Sequence, residues 1–392
     1  MANVIKLKRG TSTPTTSDIT SGEVALDTSA KKLYVNDGGT VKEIGGGGGV
    51  ESDAQDNTVA GTNAGDSFDG TNAEGNTLFG KNAGTAITTG DQSTCVGKDA
   101  GKTISTAARL TAVGHRAGEV VTGQNNTILG ANTGLLVSSG ENNTLVGCGA
   151  GDKYTTSSNS TAVGYTAGGG TGANNTCVGY DAGGANSSAT NQTFVGKQAG
   201  RLSTGSSNTA IGSDAMFTSH SGTNNVALGA NALYSFSGTS YTGSVALGVN
   251  SLYSQTSGNE NTGCGRGAGF SLNSGAQNTL LGNFAGYGSG GSGALTTGDN
   301  NIIVGYNAVS SAVDVDNEIT LGNSSITKFR IPGLSFSISA NAVTNGAAFY
   351  ENAKTVAADY TLSGSNAMAA GPITINSSVT VTISSGDTLT IV

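Results

Sequence analysis

A chain does chemistry only where acids, bases, nucleophiles or metal ligands converge, and in these 392 residues such groups are sparse. Only 11% of residues are charged, against about 25% in an ordinary globular domain. The carboxylates Asp99, Asp152, Asp181 and Asp214 stand far apart in sequence. Glycoside hydrolysis needs two carboxylates across one cleft, and no such pair can be read. The acidic run "DVDNE", 314–318, offers oxygen ligands for Ca²⁺ but reads more simply as a solvated loop. The calcium-binding nonapeptide "GGxGxDx" does not occur. Cys95, Cys148, Cys177 and Cys264 make no C-x-x-C pair, and His115 and His220 lie far apart. Neither a zinc site nor a serine–histidine nucleophile is legible. The expectation is no catalytic residue, no metal and no cofactor.

Binding is what remains. Aromatic residues are 5% of the chain and gather late. Tyr234, Phe236, Tyr241 and Tyr287 lie on or beside the longest loops, and Tyr350 and Tyr360 lie near the C-terminus. Exposed rings on loops suit stacking against sugars; intersubunit packing is the alternative for the same residues. The net charge of −8 gives no general affinity for nucleic acid. No apolar run is long enough to span a membrane. No apolar segment follows the charges of "MANVIKLKRG", so no secretory leader is expected.

The elements that must position these residues come from a repeat. Aligned on the glycine that ends each "NTxVG" unit, sixteen units run from Gly61 to Gly322, most of them 15 to 19 residues apart and typically 17. Such a fixed step predicts a solenoid of stacked coils. One position before the glycine is almost always aliphatic, as in Val96, Val113 and Leu228; three before it is β-branched in all sixteen units, usually Thr. These two positions share a face of a strand, and their uniformity predicts that this face is the core. The variable residue between them (Ile128, Leu145, Phe194, Leu280) is then expected to face outward. A Thr column buried in this way disfavours surface binding of the kind seen in ice-binding solenoids. Asp99, Asp181 and Asp214 fall two positions after the glycine and form a loose surface row of turn residues. Asn recurs four positions before the glycine, where turn geometry and a side-chain ladder suit it. The "xxAG" that follows predicts a second short strand closed by a turn. Cys95 and Cys177 occupy the variable position and read as small apolar residues.

Each coil then offers one aliphatic, one β-branched residue and one Ala to the interior. Burying a Val or Leu contributes about 1.5–3 kcal/mol, while ordering a residue costs about 1 kcal/mol or more. So thin a roll is expected to pack against further copies of itself. The chain divides into an N-terminal β module (1–44), a Gly-rich linker (45–51), the roll (52–330) and a C-terminal β cap (331–392). In the cap, "VTVTI", "SSGD" and "TLTIV" predict a β-hairpin. Of the 18 basic residues, six lie within the first 42, among them Lys6, Lys8, Arg9, Lys31 and Lys32.

The "NNTxVGxxAG" units resemble the head repeats of trimeric autotransporter adhesins, which form a left-handed parallel β-roll trimer. Their repeats are usually shorter, and only the roll is similar. The opening "VIKLKRGTSTPTTSDITSGEVALDTSAKKLYVNDGGTVKEIG" resembles virion-proximal modules of bacteriophage tail fibres. "NEITLGNSSITKFRIPG", 317–333, is similar to the last roll coil of such fibres, and the C-terminal stretch to their ends. The resemblance implies a homotrimeric, non-enzymatic tail fibre located in the virion. Its N-terminal module, with the basic residues named above, would attach to a phage tail or adaptor protein. Its distal part would bind a host surface glycan or protein, with neither nucleic-acid binding nor membrane insertion. A bacterial trimeric surface adhesin is the alternative, and a glycan depolymerase tailspike a third.

Overall fold

The computed structural model describes residues 8–29, 32–44, 51–69, 72–185, 188–218, 221–235, 242–288, 293–331, 336–339, 355–356, 360–362, 367–369 and 374–391. Every regular element among them is a β-strand. The chain forms two compact units, Met1–Asn323 and Ser324–Val392. The Gly-rich run 45–49 lies outside the described residues.

The first unit opens with a four-stranded sheet: β1 (Lys8–Gly10), β2 (Val24–Asp27), β3 (Lys32–Asp37) and β4 (Thr40–Ile44). β1 pairs parallel with β2, and β2, β3 and β4 follow antiparallel. β5 (Glu51–Ser52) then pairs antiparallel with the first strand of the roll, β6 (Thr58–Ala60).

From β6 to β21 (Ile319–Leu321), sixteen short strands stack in parallel. Equivalent residues face each other coil after coil, as in Thr127↔Thr144, Ile128↔Leu145 and Leu129↔Val146. Strands spaced about 4.8 Å apart make a roll roughly 70 Å long. The "xxAG" segment forms a turn rather than the expected second strand. Its residues two positions after the unit glycine are left-handed, as at Asn82 (φ 58°), Asp181 (54°) and Asn231 (55°), and a strand cannot hold that geometry. A second left-handed column lies five positions before the glycine, at Asn125, Asn142, Asn159 and their equivalents. Asn and Asp tolerate this conformation best among residues with a Cβ.

The faces of the strand are the reverse of the sequence expectation. The variable central residue is the core: Leu78, Cys95, Ile128, Leu145, Phe194 and Leu280 are fully buried or within a percent of it. The Thr and aliphatic columns face outward, with Leu228 46% and Leu281 47% exposed. Alternation establishes that two positions share a face but not which face is inside. Here the interior is the variable side because its volumes trade off between neighbouring positions. Where the strand centre is Leu145 or Phe194, the residue four after the unit glycine is Gly151 or Gly200. A Cβ at those glycines would come within 2.7 Å and 2.4 Å of the large side chain. Where the centre is Ala210, Ala227 or Ala246, that position becomes Met216, Leu233 or Leu252, each fully buried and left-handed. The apolar bulk moves from strand to turn, and close packing is kept. Cys95 and Cys177 are unpaired packing residues in this core.

Two ladders lock the coils. The Asn four positions before the glycine is buried. Asn143 Oδ1 accepts the Ser160 N–H at 3.0 Å, and its Nδ2 donates to the Ser157 carbonyl at 2.8 Å. Asn126, Asn175, Asn208, Asn278 and Asn301 repeat the arrangement. The unit glycines form the second ladder. Gly179 has φ +136°, and a Cβ there would stand 2.4 Å from the Gly196 carbonyl oxygen.

The second unit holds an antiparallel pair, β22 (Lys328–Ile331) with β23 (Phe336–Ser339). Three parallel pairs follow: β24 (Thr355–Val356) with β27 (Thr374–Ile375), β25 (Tyr360–Leu362) with β28 (Val381–Ile383), and β26 (Ala367–Ala369) with β29 (Leu389–Ile391). The expected terminal hairpin is not formed. β28 and β29 each pair with a strand about twenty residues upstream, so "SSGD" joins two sides of a coil instead of reversing a hairpin. Two successive turns of three short strands result. The local alternation and turn residues are compatible with either pairing, and longer-range stacking decides between them.

Gly179→Ala is expected to lower the melting temperature by many degrees, since left-handed strain and the backbone overlap together cost several kcal/mol, about 2–4. Gly38→Ala, with φ +60° and nothing within 4 Å, should cost only about 1 kcal/mol. Equal effects by calorimetry would refute the stacking constraint. Asn143→Ala strands a buried N–H and a buried carbonyl and should cost about 2–4 kcal/mol.

Candidate functional site

The described residues contain no cluster of three or more His, Cys, Asp or Glu side chains able to hold a metal ion. Three of the four isolated acids of the roll pair with basic residues, while the carboxyl of Asp152 is pushed up by partial burial. Asp99 accepts from Asn82 at 2.8 Å and lies 3.3 Å from Lys98 Nζ and 3.7 Å from Lys102 Nζ. The Asn82 hydrogen bond and the two lysines hold its carboxyl below the usual range. Asp181 pairs with Arg201, and Asp214 lies 3.7 Å from Lys197. In the run 314–318, Asp316 accepts the Asp299 N–H at 2.7 Å. Glu318 accepts from Ser311 N at 3.0 Å and Thr320 Oγ1 at 2.6 Å. Asp99, Asp181, Asp214 and Asp316 bridge neighbouring coils, whereas Glu318 ties its own loop.

The late aromatic residues are organised by the repeat. Phe217, Tyr234, Tyr253 and Phe270 occupy the same turn position in four successive coils and stack nearly parallel, with centroids 5.4, 5.0 and 4.9 Å apart. Tyr287 closes this ladder edge-on at 5.4 Å, and the Arg201 guanidinium lies 5.6 Å over Phe217 at the other end. The rings are half-buried. Tyr234, expected to meet a receptor, has both faces against its neighbours Phe217 and Tyr253, and Tyr287 packs on Phe270 and Phe284. The ladder packs coil against coil within one chain. Phe236, Tyr241 and Tyr350 lie outside the described residues, and Tyr360 opens β25.

Two other tyrosines, which the sequence reading passed over, are far more open. Tyr165 and Tyr180 directly follow the unit glycine in adjacent coils. They stack with centroids 5.8 Å apart and planes 7° from parallel, yet remain 55% and 51% exposed. The repeated "VGY" at 163–165, 178–180 and 304–306, the last with Tyr306 68% exposed and outside any ring stack among the described residues, was the available signal.

The outward sheet face is the largest regular surface. Its two columns contain no charged residue in sixteen coils, only Thr, Val, Ile, Leu, Phe, Ala and Cys. Toward β21 the Thr column changes to Val226, Val245, Ile302 and Ile319.

In the N-terminal sheet, Lys8 and Arg9 lie on β1, and Lys32 opens β3; Lys6 and Lys31 lie outside the described residues. Lys8 Nζ reaches Glu23 at 2.7 Å and the Asp18 carbonyl at 3.0 Å. Lys8, Arg9, Ser12, Pro14, Asp18 and Ile19 line a cavity of about 310 Å³.

No protein-family model, curated protein or solved structure matches the chain. The functional reading therefore stands on the geometry above together with the residue patterns.

Burial pushes the Cys95 and Cys177 thiols up to about 12. Both should resist a maleimide until the protein unfolds, whereas exposed Cys148 should react at once. Mass spectrometry of timed labelling checks this. The Glu23 carboxyl is held down to about 2, chiefly by Lys8. A depressed carboxylate stabilises the fold above its ordinary value and loses that contribution as pH falls through the folded one. The N-terminal sheet should accordingly weaken from about pH 4.5 downward to about pH 2, and Lys8→Ala should flatten that step in an acid titration.

Proposed function

We propose that the chain is a structural subunit of a bacteriophage tail fibre. Three copies assemble along the roll, the N-terminal sheet attaches to the tail, and the distal part contacts a host surface glycan or protein. The observation that carries this reading is the uncharged outward sheet face. Soluble monomers rarely expose contiguous apolar patches beyond a few hundred Å². A strip roughly 70 Å long and 7 Å wide, on the order of 500 Å², reaches that limit. A face so regular and so long is best matched by another copy of itself, and closed rotational symmetry satisfies every copy at once. The Thr hydroxyls interleaved with aliphatics suit an interface whose strands run in register.

The rest of the chain agrees with this role. A stack of near-identical coils makes a stiff spacer. Asp99, Asp181 and Asp214 are paired with basic residues, so a hydrolase reading gains nothing from their geometry. The N-terminal sheet carries Lys8 and Arg9 beside a cavity suited to a partner's side chain. A bacterial trimeric surface adhesin remains the alternative with the same roll.

One observation favours a second reading. The Thr column was expected inside but faces outward, in a lattice of about 4.8 Å by about 7 Å. An exposed lattice of that kind suits adsorption to an ordered surface such as ice. The two readings compete for one face, because a face buried between copies cannot meet ice.

Light scattering on the purified chain of 38.4 kDa should give three times that mass. Leu228→Glu, which places a charge on the outward face without touching the core, should shift the population toward monomer. A wild-type monomer would overturn the trimer. Thermal hysteresis in that monomer would then favour the ice-binding reading.

A further inference from the structure

The geometry points to a saccharide-binding platform at mid-roll, built on Tyr165 and Tyr180 and recognising the pyranose rings of a bacterial surface polysaccharide. This deepens the tail-fibre reading and rests on it, because it places a glycan contact within the shaft rather than on the distal loops.

Four observations converge. The first is access. Among the stacked rings described, only this pair is more than half exposed; the distal ladder is half-buried and closed at both ends by Arg201 and Tyr287. The second is an open approach. The coil before Tyr165 places Cys148 and Gly149 beside it, and the coil before that places Ala131. At the ring's own position those two coils carry only the small side chains Cys148 and Ala131. A sugar presents a face of C–H groups that packs on such a ring, and the phenol remains free to hydrogen-bond.

The third observation is strain. Thr166, adjoining Tyr165, has φ +50° and is the one β-branched residue in the left-handed region among the described residues. Most other coils place Asn, Asp, Gln or Gly there, and two place Arg116 and Phe284; Asn, Asp and Gly adopt it at lower cost than a β-branched residue. A strained residue kept where an ordinary one would be more stable is a mark of a binding surface. The fourth is polar equipment. Turn positions one, two and five after the glycine touch one another across coils, as in Lys197 with Asp214 and Asp181 with Arg201. In the coils of the two rings and the next, this face carries Thr166, Asp181, Lys197, Gln198 and Arg201, with Asp181 paired to Arg201 and 3.5 Å from Gln198 Nε2. A flat aromatic surface bordered by a hydroxyl, a carboxylate, an amide and a guanidinium is the equipment of a saccharide site. The row is short of the continuous basic patch a nucleic acid needs and lacks the deep apolar pocket of a small-molecule site.

The test uses the full-length chain on an array of purified bacterial surface polysaccharides. Intrinsic tyrosine fluorescence serves as a second readout in solution, since the chain has no Trp. The wild type should bind at least one polysaccharide. Tyr165→Ala and Tyr180→Ala should each weaken that binding about tenfold, the loss of one stacking contact. Thr166→Asn should raise the melting temperature while lowering affinity, an opposition that a merely structural Thr166 would not give. Tyr253→Ala, in the half-buried ladder, should lower the melting temperature and leave binding intact. Unchanged binding in both tyrosine variants, or no polysaccharide bound by the wild type, overturns the platform. If wild type and variants adsorb equally to host cells, the platform falls while the tail-fibre reading stands. If the wild type adsorbs to no cell and decorates no virion, both fall.

Discussion

The contact on which everything else depends is the stacking of one coil's backbone directly on the next. In the unit-glycine column each Cα lies so close to the next coil's carbonyl that no Cβ fits. This single approach fixes the register of all sixteen strands and brings each residue type over its equivalent. The buried Asn amides can then bridge coils with both ends satisfied, and aromatic rings can stack face to face over four coils. A solenoid's stability is approximately a sum of such nearest-neighbour terms. The repetition of the sequence is the requirement that every one of those terms be favourable.

Fixed stacking divides the strand into two sides under different rules. Inside, coils need only fill space together, so Phe194 or Leu145 with a turn glycine can alternate with Ala227 paired with Leu233. Outside, each residue meets its own kind above and below, and β-branched Thr and Val suit that repeated contact. Within the strand, uniformity is accordingly the mark of the exposed columns and variability the mark of the buried one. A face this even invites a partner as even as itself, and the proposed association of copies follows from it. The polar turns lie beyond that face and are free to vary along the roll, which is where surface recognition can be written.

Much of the architecture was legible in the sequence. The spacing of Gly61 to Gly322 marks the coils, and an N-terminal β module is expected over 1–44. The turn residues could be placed because Asn and Gly answer to local backbone geometry. The orientation of the strand could not, because a period of two is blind to inside and outside. The terminal strands were likewise misread, since "VTVTI" and "TLTIV" satisfy a hairpin locally as well as the parallel partners they adopt. Tyr234 and Tyr287 are legible as aromatic, but their stacking on the rings of neighbouring coils is not. The "VGY" repeat marks Tyr165 and Tyr180 as equivalent positions, but their exposure depends on the small residues in the coils before them.

The sequence by itself determined that the chain is a stack of about sixteen like coils, where each begins and ends, and which positions require Gly or Asn. Those features depend on residues near one another along the chain. Only the tertiary structure decided which side of each strand is buried, which acids are neutralised by the next coil, and which rings remain open. Each of those outcomes is set by what stands one coil away, about seventeen residues distant in sequence but about 4.8 Å distant in space.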